Sequence, residues 1–240
     1  MARPRVSAFS AEAVQERSRQ ASSVPWLIFA ACLTAVSSSI YYTDYSPLIP
    51  TMQTEIHINS GQAGLFSTLL VLGLAIAYIP AGLLIDRYGA RLVLLVSTLV
   101  FTIGGLLLPL FPNVTWMLTW RLIAGIGIGG AFIAGAGVAA GQGRYAPLGL
   151  GLYGGSVQVG SGLGLLVTPL LLTWVGWRGS FLLWVLPGFI SLVAWLFVND
   201  GTETRRVTKL NLGVGLRSSA VWTLGLSHLG TFGLGNSIAP

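Results

Sequence analysis

The sequence predicts an all-α membrane protein: a six-helix bundle of two inverted three-helix repeats, followed by the start of a seventh transmembrane helix. Three observations carry this. Charged residues make up 8% of the 240 and hydrophobic ones 53%, with a mean hydropathy of +0.77. A soluble domain carries about 25% charge, so only a bilayer suits this surface as solvent. The apolar residues form long Leu/Val/Gly-rich runs rather than alternating patterns, which favours helices over a barrel. All of the 13 Lys and Arg except Arg121 and Arg178 fall in the tail, in alternate connections or in the late linker, and such an excess sets orientation. The net charge of +6 is therefore a topological signal, and nucleic acid is not an expected partner.

Taken in order, residues 1–24 are polar and rich in Ser, Arg and Gln, and are expected to form a disordered cytoplasmic tail. The first apolar run starts late and is long enough to span, so no cleavable signal peptide is expected. Residues 25–198 are expected to form the six-span domain, with spans at about 26–46, 62–85, 92–111, 116–140, 148–174 and 179–198. Each is long enough for a hydrocarbon core of roughly 30 Å at about 1.5 Å per residue. Pro47 and Pro50 are expected to close the first span, with TEIHINSGQ as an outer loop. Phe111-Pro112-Asn113 marks an outer turn, and Ala146-Pro147 follows Arg144 on the inner side. Trp116, Trp120, Trp174 and Trp177 gather near the outer boundary, as an interfacial aromatic belt would. Residues 199–219 read as a cytoplasmic linker. Residues 220–240 are uncharged and stop at Pro240, as a seventh helix truncated within its span would. Gly89-Ala90-Arg91 and Gly176-Trp177-Arg178 link spans two–three and five–six on opposite sides of the membrane, where an inverted repeat would place them.

The connection GLLIDRYGAR concentrates charge in a chain that has little of it. Asp86 falls at the C-terminal end of the second helix, where the helix dipole is negative, and Arg91 opens the third, where it is positive. Both oppose their own helix, and Arg87 alone is matched. Gly89 supplies the left-handed or flexible residue that turns the chain at once. The two mismatched charges imply partners elsewhere: each other, Arg144 across the same face, or the start of another helix.

The pattern Gly82-x-Leu84-x-Asp86-Arg87-x-Gly89-x-Arg91, preceded by Tyr78-Ile79-Pro80-Ala81, resembles the signature between helices two and three of the major facilitator superfamily. It departs at Ala90, where members often carry a basic residue. The resemblance covers the chain from about residue 26, as the N-terminal six-helix half plus part of helix seven. It implies that Gly82, Asp86, Arg87, Gly89 and Arg91, with Arg144 on the same face, form a gating loop that latches the two halves. The partner of Asp86 would then lie in a C-terminal half absent from this chain.

Arg121-x-x-x-Gly125-x-Gly127-x-Gly129 resembles the fourth-helix signature of the same family. An Arg this far into a membrane helix costs about 2.5–3.5 kcal/mol or more unless it pairs or reaches water. Asp44, near the outer end of span one, lies at a similar depth, so Asp44 and Arg121 are expected to pair in a coupling or cavity role. Gly125, Gly129, Gly160 and Gly164 have the spacing of close-packed membrane helices. The fifth helix lacks the Gly-Pro-x-x-Gly-Gly ending that proton-coupled drug antiporters of the family carry: Leu165 follows Gly164, and Pro169 comes too late. Span one carries Ser37-Ser38-Ser39-Ile40-Tyr41-Tyr42-Thr43, an unusual polar cluster. The resemblance makes helix one a cavity helix, so Tyr41 and Tyr42, with Gln158 of span five, are substrate candidates.

Other classes lack their residues. Cys32 stands alone and there are two His, too few for a metal cluster or a disulfide framework. Ser156 and His228 sit in no protease motif, and the single Lys209 lies in the linker, away from any helix that could hold a Schiff base. Catalysis and light sensing are not expected. The expected function is a secondary transporter of a small solute by alternating access, in the plasma or inner membrane with a cytoplasmic N-terminus. Coupling to a proton or another ion is open, and no cofactor is expected. The expected partners are lipid, a small-molecule substrate and the missing half. Arg121, with no other basic residue in the six spans, favours a small anion or organic acid, and nitrate/nitrite and cyanate porters are similar in look. The alternatives are a half-transporter inactive by itself and a drug/proton efflux pump of the same superfamily.

Overall fold

The computed structural model describes residues 6–198, together with Ser219 and Thr223. Every described element is a helix. Helix α1 spans Val6–Thr43, so residues 6–24 of the tail expected to be disordered are helical, while 1–5 lie outside the described residues. Ala, Glu, Gln and Arg in AEAVQERSRQA are among the best helix formers, and extending an existing helix avoids a new nucleation.

Pro47 and Pro50 do not end the structured segment. They occupy the first turns of a 3-10 turn (Ser46–Leu48) and of a short helix, α2 (Ile49–Glu55). Proline suits that position because its missing N–H would have no helical acceptor there. The expected outer loop shrinks to 56–59, and Asn59 and Gln62 form a reciprocal cap on α3 (Ser60–Tyr88). Gly89, at φ 88° and ψ 153°, is the whole connection to α4 (Ala90–Leu107). A side chain there would be strained, which is why the turn needs glycine. Asn113 caps α5 (Val114–Ala140) by accepting from the Trp116 N–H at 3.2 Å.

The last helix, α6 (Ala146–Leu196), bends at Gly176, whose φ of 70° and ψ of 179° are not helical. With the turn before it, this segment is 54 residues long, roughly 80 Å at 1.5 Å per residue, far beyond one hydrocarbon core. It must cross twice, so the chain makes six crossings with α6 supplying the fifth and sixth as two arms.

The chain divides into two compact units, Met1–Thr204 and Arg205–Pro240, and α1–α6 lie in the first. In the second, Thr223 Oγ1 donates to the Ser219 carbonyl at 3.0 Å. The linker expected over 199–219 and the seventh helix expected over 220–240 otherwise lie outside the described residues.

Glycines set the closest helix contacts. A Cβ on Gly125 would strike the Leu70 carbonyl, and one on Gly129 would come within 2.8 Å of the Leu74 carbonyl, so α5 and α3 touch backbone to backbone. Across α6 and α1, Gly160 meets the Val36 carbonyl, and Gly164 meets Thr43 Oγ1 and the Ile40 carbonyl. An inverted repeat exchanges helices one with four and two with five, so it maps the first–fifth pair onto the fourth–second. Those are the two pairs built on these glycines. The second arm of α6 is tied to α1 by polar contacts instead. Trp195 Nε1 donates to Thr34 Oγ1 at 2.7 Å, the Thr34 and Ser191 hydroxyls share a 2.7 Å bond, and Ser37 Oγ donates to the Pro187 carbonyl at 2.9 Å.

The outward faces are apolar: Leu166 is 76% exposed, Leu170 62% and Trp174 84%. In water such faces would aggregate; in a bilayer they are the solvated surface. Trp177 departs from the expected belt. It is buried and donates to Glu55 Oε2 at 2.7 Å, pinning α2 to the bend of α6.

Replacing Gly125 or Gly160 by Leu is expected to destabilise the bundle by about 1–3 kcal/mol or more, because backbone cannot move aside for the side chain. Thermal unfolding in detergent measures this. Gly162→Leu is the control: a Cβ there meets nothing within 4 Å, and its unfolding midpoint should stay near that of the unaltered protein.

Candidate functional site

The end of α1 and the first turns of α5 lie at the same side of the bundle, because the chain crosses twice between them, through α3 and α4. Asp44 follows directly on α1, its N–H still donating to the Ile40 carbonyl at 2.8 Å. Arg121 sits two turns into α5. Arg121 Nη1 donates to Asp44 Oδ1 at 3.1 Å, and the two side chains are 1% and 0% exposed. The expected pair therefore forms, fully withdrawn from the surface.

The pair is incompletely satisfied. Asp44 Oδ2 and Arg121 Nε and Nη2 are buried without a hydrogen-bond partner among the described residues, and so is the Tyr41 hydroxyl. The Arg121 guanidinium lies over the Tyr45 ring at 4.5 Å from its centre. Tyr41 packs edge-on against Phe101, with ring centres 5.4 Å apart, and its ring lies where a Cβ on Gly105 would be. Isolated buried charges cost several kcal/mol each, and a single hydrogen bond leaves a guanidinium with most of its donors unused. The arrangement holds a carboxylate, a fixed cation and a phenol together, with polar capacity left for a further anion or proton.

Of the substrate candidates, Tyr41 belongs to this cluster, Tyr42 is half-buried, and Gln158 is exposed on α6. Gln158 is two residues from Gly160, which places it on the side of the helix turned away from α1. The Ser37–Ser39 cluster is largely structural. Ser37 and Ser38 donate to carbonyls one turn back, of Leu33 and Thr34, and Ser39 is buried without a partner. Tyr45 and Gly105 went unrecognised in the sequence. Tyr45 was legible as the neighbour of Asp44, whereas nothing in the local pattern distinguishes Gly105 from Gly104.

Arg91 Nη2 donates to the Trp195 carbonyl at 3.4 Å, near the C-terminal end of α6. The expected partners of the mismatched charges were each other, Arg144 or the start of another helix; the structure gives Arg91 the end of one, whose negative pole suits a cation. Arg144 engages its neighbour, donating to the Tyr145 hydroxyl at 2.7 Å with its guanidinium over that ring, rather than Asp86 or Arg91. Arg87 lies over Tyr88 at 5.1 Å. Asp86 is exposed and forms no ion pair with another described residue. A Cβ on Gly82 would meet nothing within 4 Å, so packing within this unit does not require that glycine.

Comparison with known proteins places this geometry. The probable 4-methylmuconolactone transporter of Cupriavidus pinatubonensis is 27% identical over 68% of this chain and 39% of its own length. The nitrite extrusion protein of Bacillus subtilis is 27% identical over 84% of this chain and 51% of its own. The chain thus spans about half the length of these relatives. Among solved structures, that of the proton:xylose symporter XylE bound to 6-bromo-6-deoxy-D-glucose matches in fold with a TM-score of 0.64. It is 18% identical and aligns over 74% of this chain and 45% of that one. The family model for the Major Facilitator Superfamily matches residues 27–238. With six crossings, the Gly89 connection and most of its length within that match, this chain is a multi-pass membrane protein of the major facilitator superfamily.

Proposed function

We propose that this chain is the helix-one-to-six half of a secondary active transporter that moves a small anion or organic acid by alternating access, with Asp44 and Arg121 as its coupling pair. The observation that carries the reading is the fully buried 3.1 Å ion pair with unsatisfied polar atoms on both partners. Arg121 is held by one carboxylate oxygen and one aromatic face. An anionic substrate can compete with Asp44 for that guanidinium, and a proton taken up by Asp44 releases the guanidinium to the substrate. Charge then stays balanced in a low-dielectric site, which links one proton to one negative charge. The nitrite extrusion protein among the relatives fits an anionic cargo. The concentration of Arg at one membrane face supports a cytoplasmic N-terminus in the plasma or inner membrane. Asp86, Arg87 and Arg91 act in this reading as the gating loop against the other half.

Uptake by the full-length protein in proteoliposomes, offered nitrite, cyanate and small carboxylates with and without a pH gradient, tests the proposal. Asp44→Asn keeps the shape but not the charge, and is expected to abolish the dependence of uptake on the gradient. Unchanged rate and unchanged pH dependence in that variant would sink the coupling role. Arg121→Lys keeps the charge but loses the planar fork, and is expected to lower uptake at least about tenfold while the protein remains folded. Uptake at the unaltered rate would remove Arg121 from the site.

A further inference from the structure

Outside the ion-pair site, an apolar groove of about 390 Å³ opens between α3 and α4. Pro80, Leu84 and Tyr88 line one wall and Leu92 and Val96 the other; the Tyr88 and Ser97 hydroxyls are the only side-chain polar groups in the lining. Along α3 the groove runs from Ile76 to Tyr88, about 18 Å at 1.5 Å per residue. That is close to half of a roughly 30 Å hydrocarbon core, the depth of one leaflet. Its end at the membrane face is marked by charge. The Arg87 guanidinium lies 5.1 Å from the centre of the Tyr88 ring that lines the groove, and Arg91 opens the facing helix, giving two cations beside the single carboxylate of Asp86.

We propose that this groove binds a phospholipid of the adjoining leaflet with an anionic headgroup, one acyl chain lying along Leu84 and Val96 and the phosphate on Arg87. α3 and α4 are joined by Gly89 alone, which holds the walls together at the charged end of the groove, and Ile126, Gly127 and Gly130 of α5 close its floor. An acyl chain needs no backbone partner and fills such a cleft. The Tyr88 ring fits the boundary between chain and headgroup, where amphipathic rings settle. The same construction recurs at the same face of the membrane. A groove of about 490 Å³ between α1 and α6 is lined by Tyr145, and Arg144 lies over that ring at 4.7 Å.

A photoreactive residue at Leu84 of the full-length protein, in vesicles of equal phosphatidylglycerol and phosphatidylcholine, tests this by mass spectrometry of the adducts. Phosphatidylglycerol is expected to be captured about fivefold over phosphatidylcholine, the preference one cation supplies near a membrane surface. Arg87→Gln should bring the ratio to parity. Val96→Trp, which fills the groove from an exposed position, should lower adducts of both lipids. Arg178→Gln, at the opposite face, should change neither. A ratio near one with Arg87 present, a ratio insensitive to Arg87→Gln, an equal drop in Arg178→Gln, or adducts formed only with protein would overturn the proposal; the last would mark the groove as a docking face for another helix.

Discussion

Close approach of helix backbones is the constraint on which the rest of this structure depends. In a bilayer no hydrophobic force drives helices together, so association rests on packing and on hydrogen bonds. Gly164 lies against the Ile40 carbonyl, and a Cβ there would also come within 3.4 Å of the Asp44 nitrogen. Gly125, one turn beyond Arg121, lies against the Leu70 carbonyl. Each member of the ion pair is thus flanked by a glycine that fixes its helix in depth and rotation. The carboxylate and the guanidinium meet because the backbones beside them do.

The same closeness explains why the pair is buried. Tyr41 of α1 fills the position of a missing side chain on Gly105 of α4, and the Asp44 and Arg121 side chains are withdrawn from the surface. A snorkelling arginine would relieve its cost by bending toward the interface. Arg121 is instead held by Asp44 and Tyr45 inside the bundle. Both partners keep buried polar atoms unsatisfied, and the proposed coupling role rests on that feature.

The charged turns at the membrane face follow another logic. Arg87, Arg91 and Arg144 each find a local acceptor or an aromatic ring: Tyr88, the end of α6, and Tyr145. They are neither paired with one another nor pointing freely into water. Asp86 is exposed and without an ionic partner among the described residues. Arg91 therefore serves cohesion within the bundle, whereas Asp86 forms no ion pair with another described residue, so the two mismatched charges differ in their contacts.

By itself the sequence determined the solvent, the number of crossings and most of their ends, because hydrocarbon thickness and helix rise leave little freedom to an apolar run. It also determined the Gly89 turn and the depth at which Asp44 and Arg121 could meet, since both follow from counting residues along spans of known direction. Only the tertiary structure decided the rest. Whether Trp177 joins a belt or pins Glu55, and which carbonyl receives Arg91, depend on neighbours more than 100 residues away in the chain. The helical start at Val6 shows the opposite limit: polarity was read as disorder where local helix propensity and an adjoining helix prevailed. Composition and period report on solvent and on the single helix, while a site is made where several helices converge, and that information lies in no one segment.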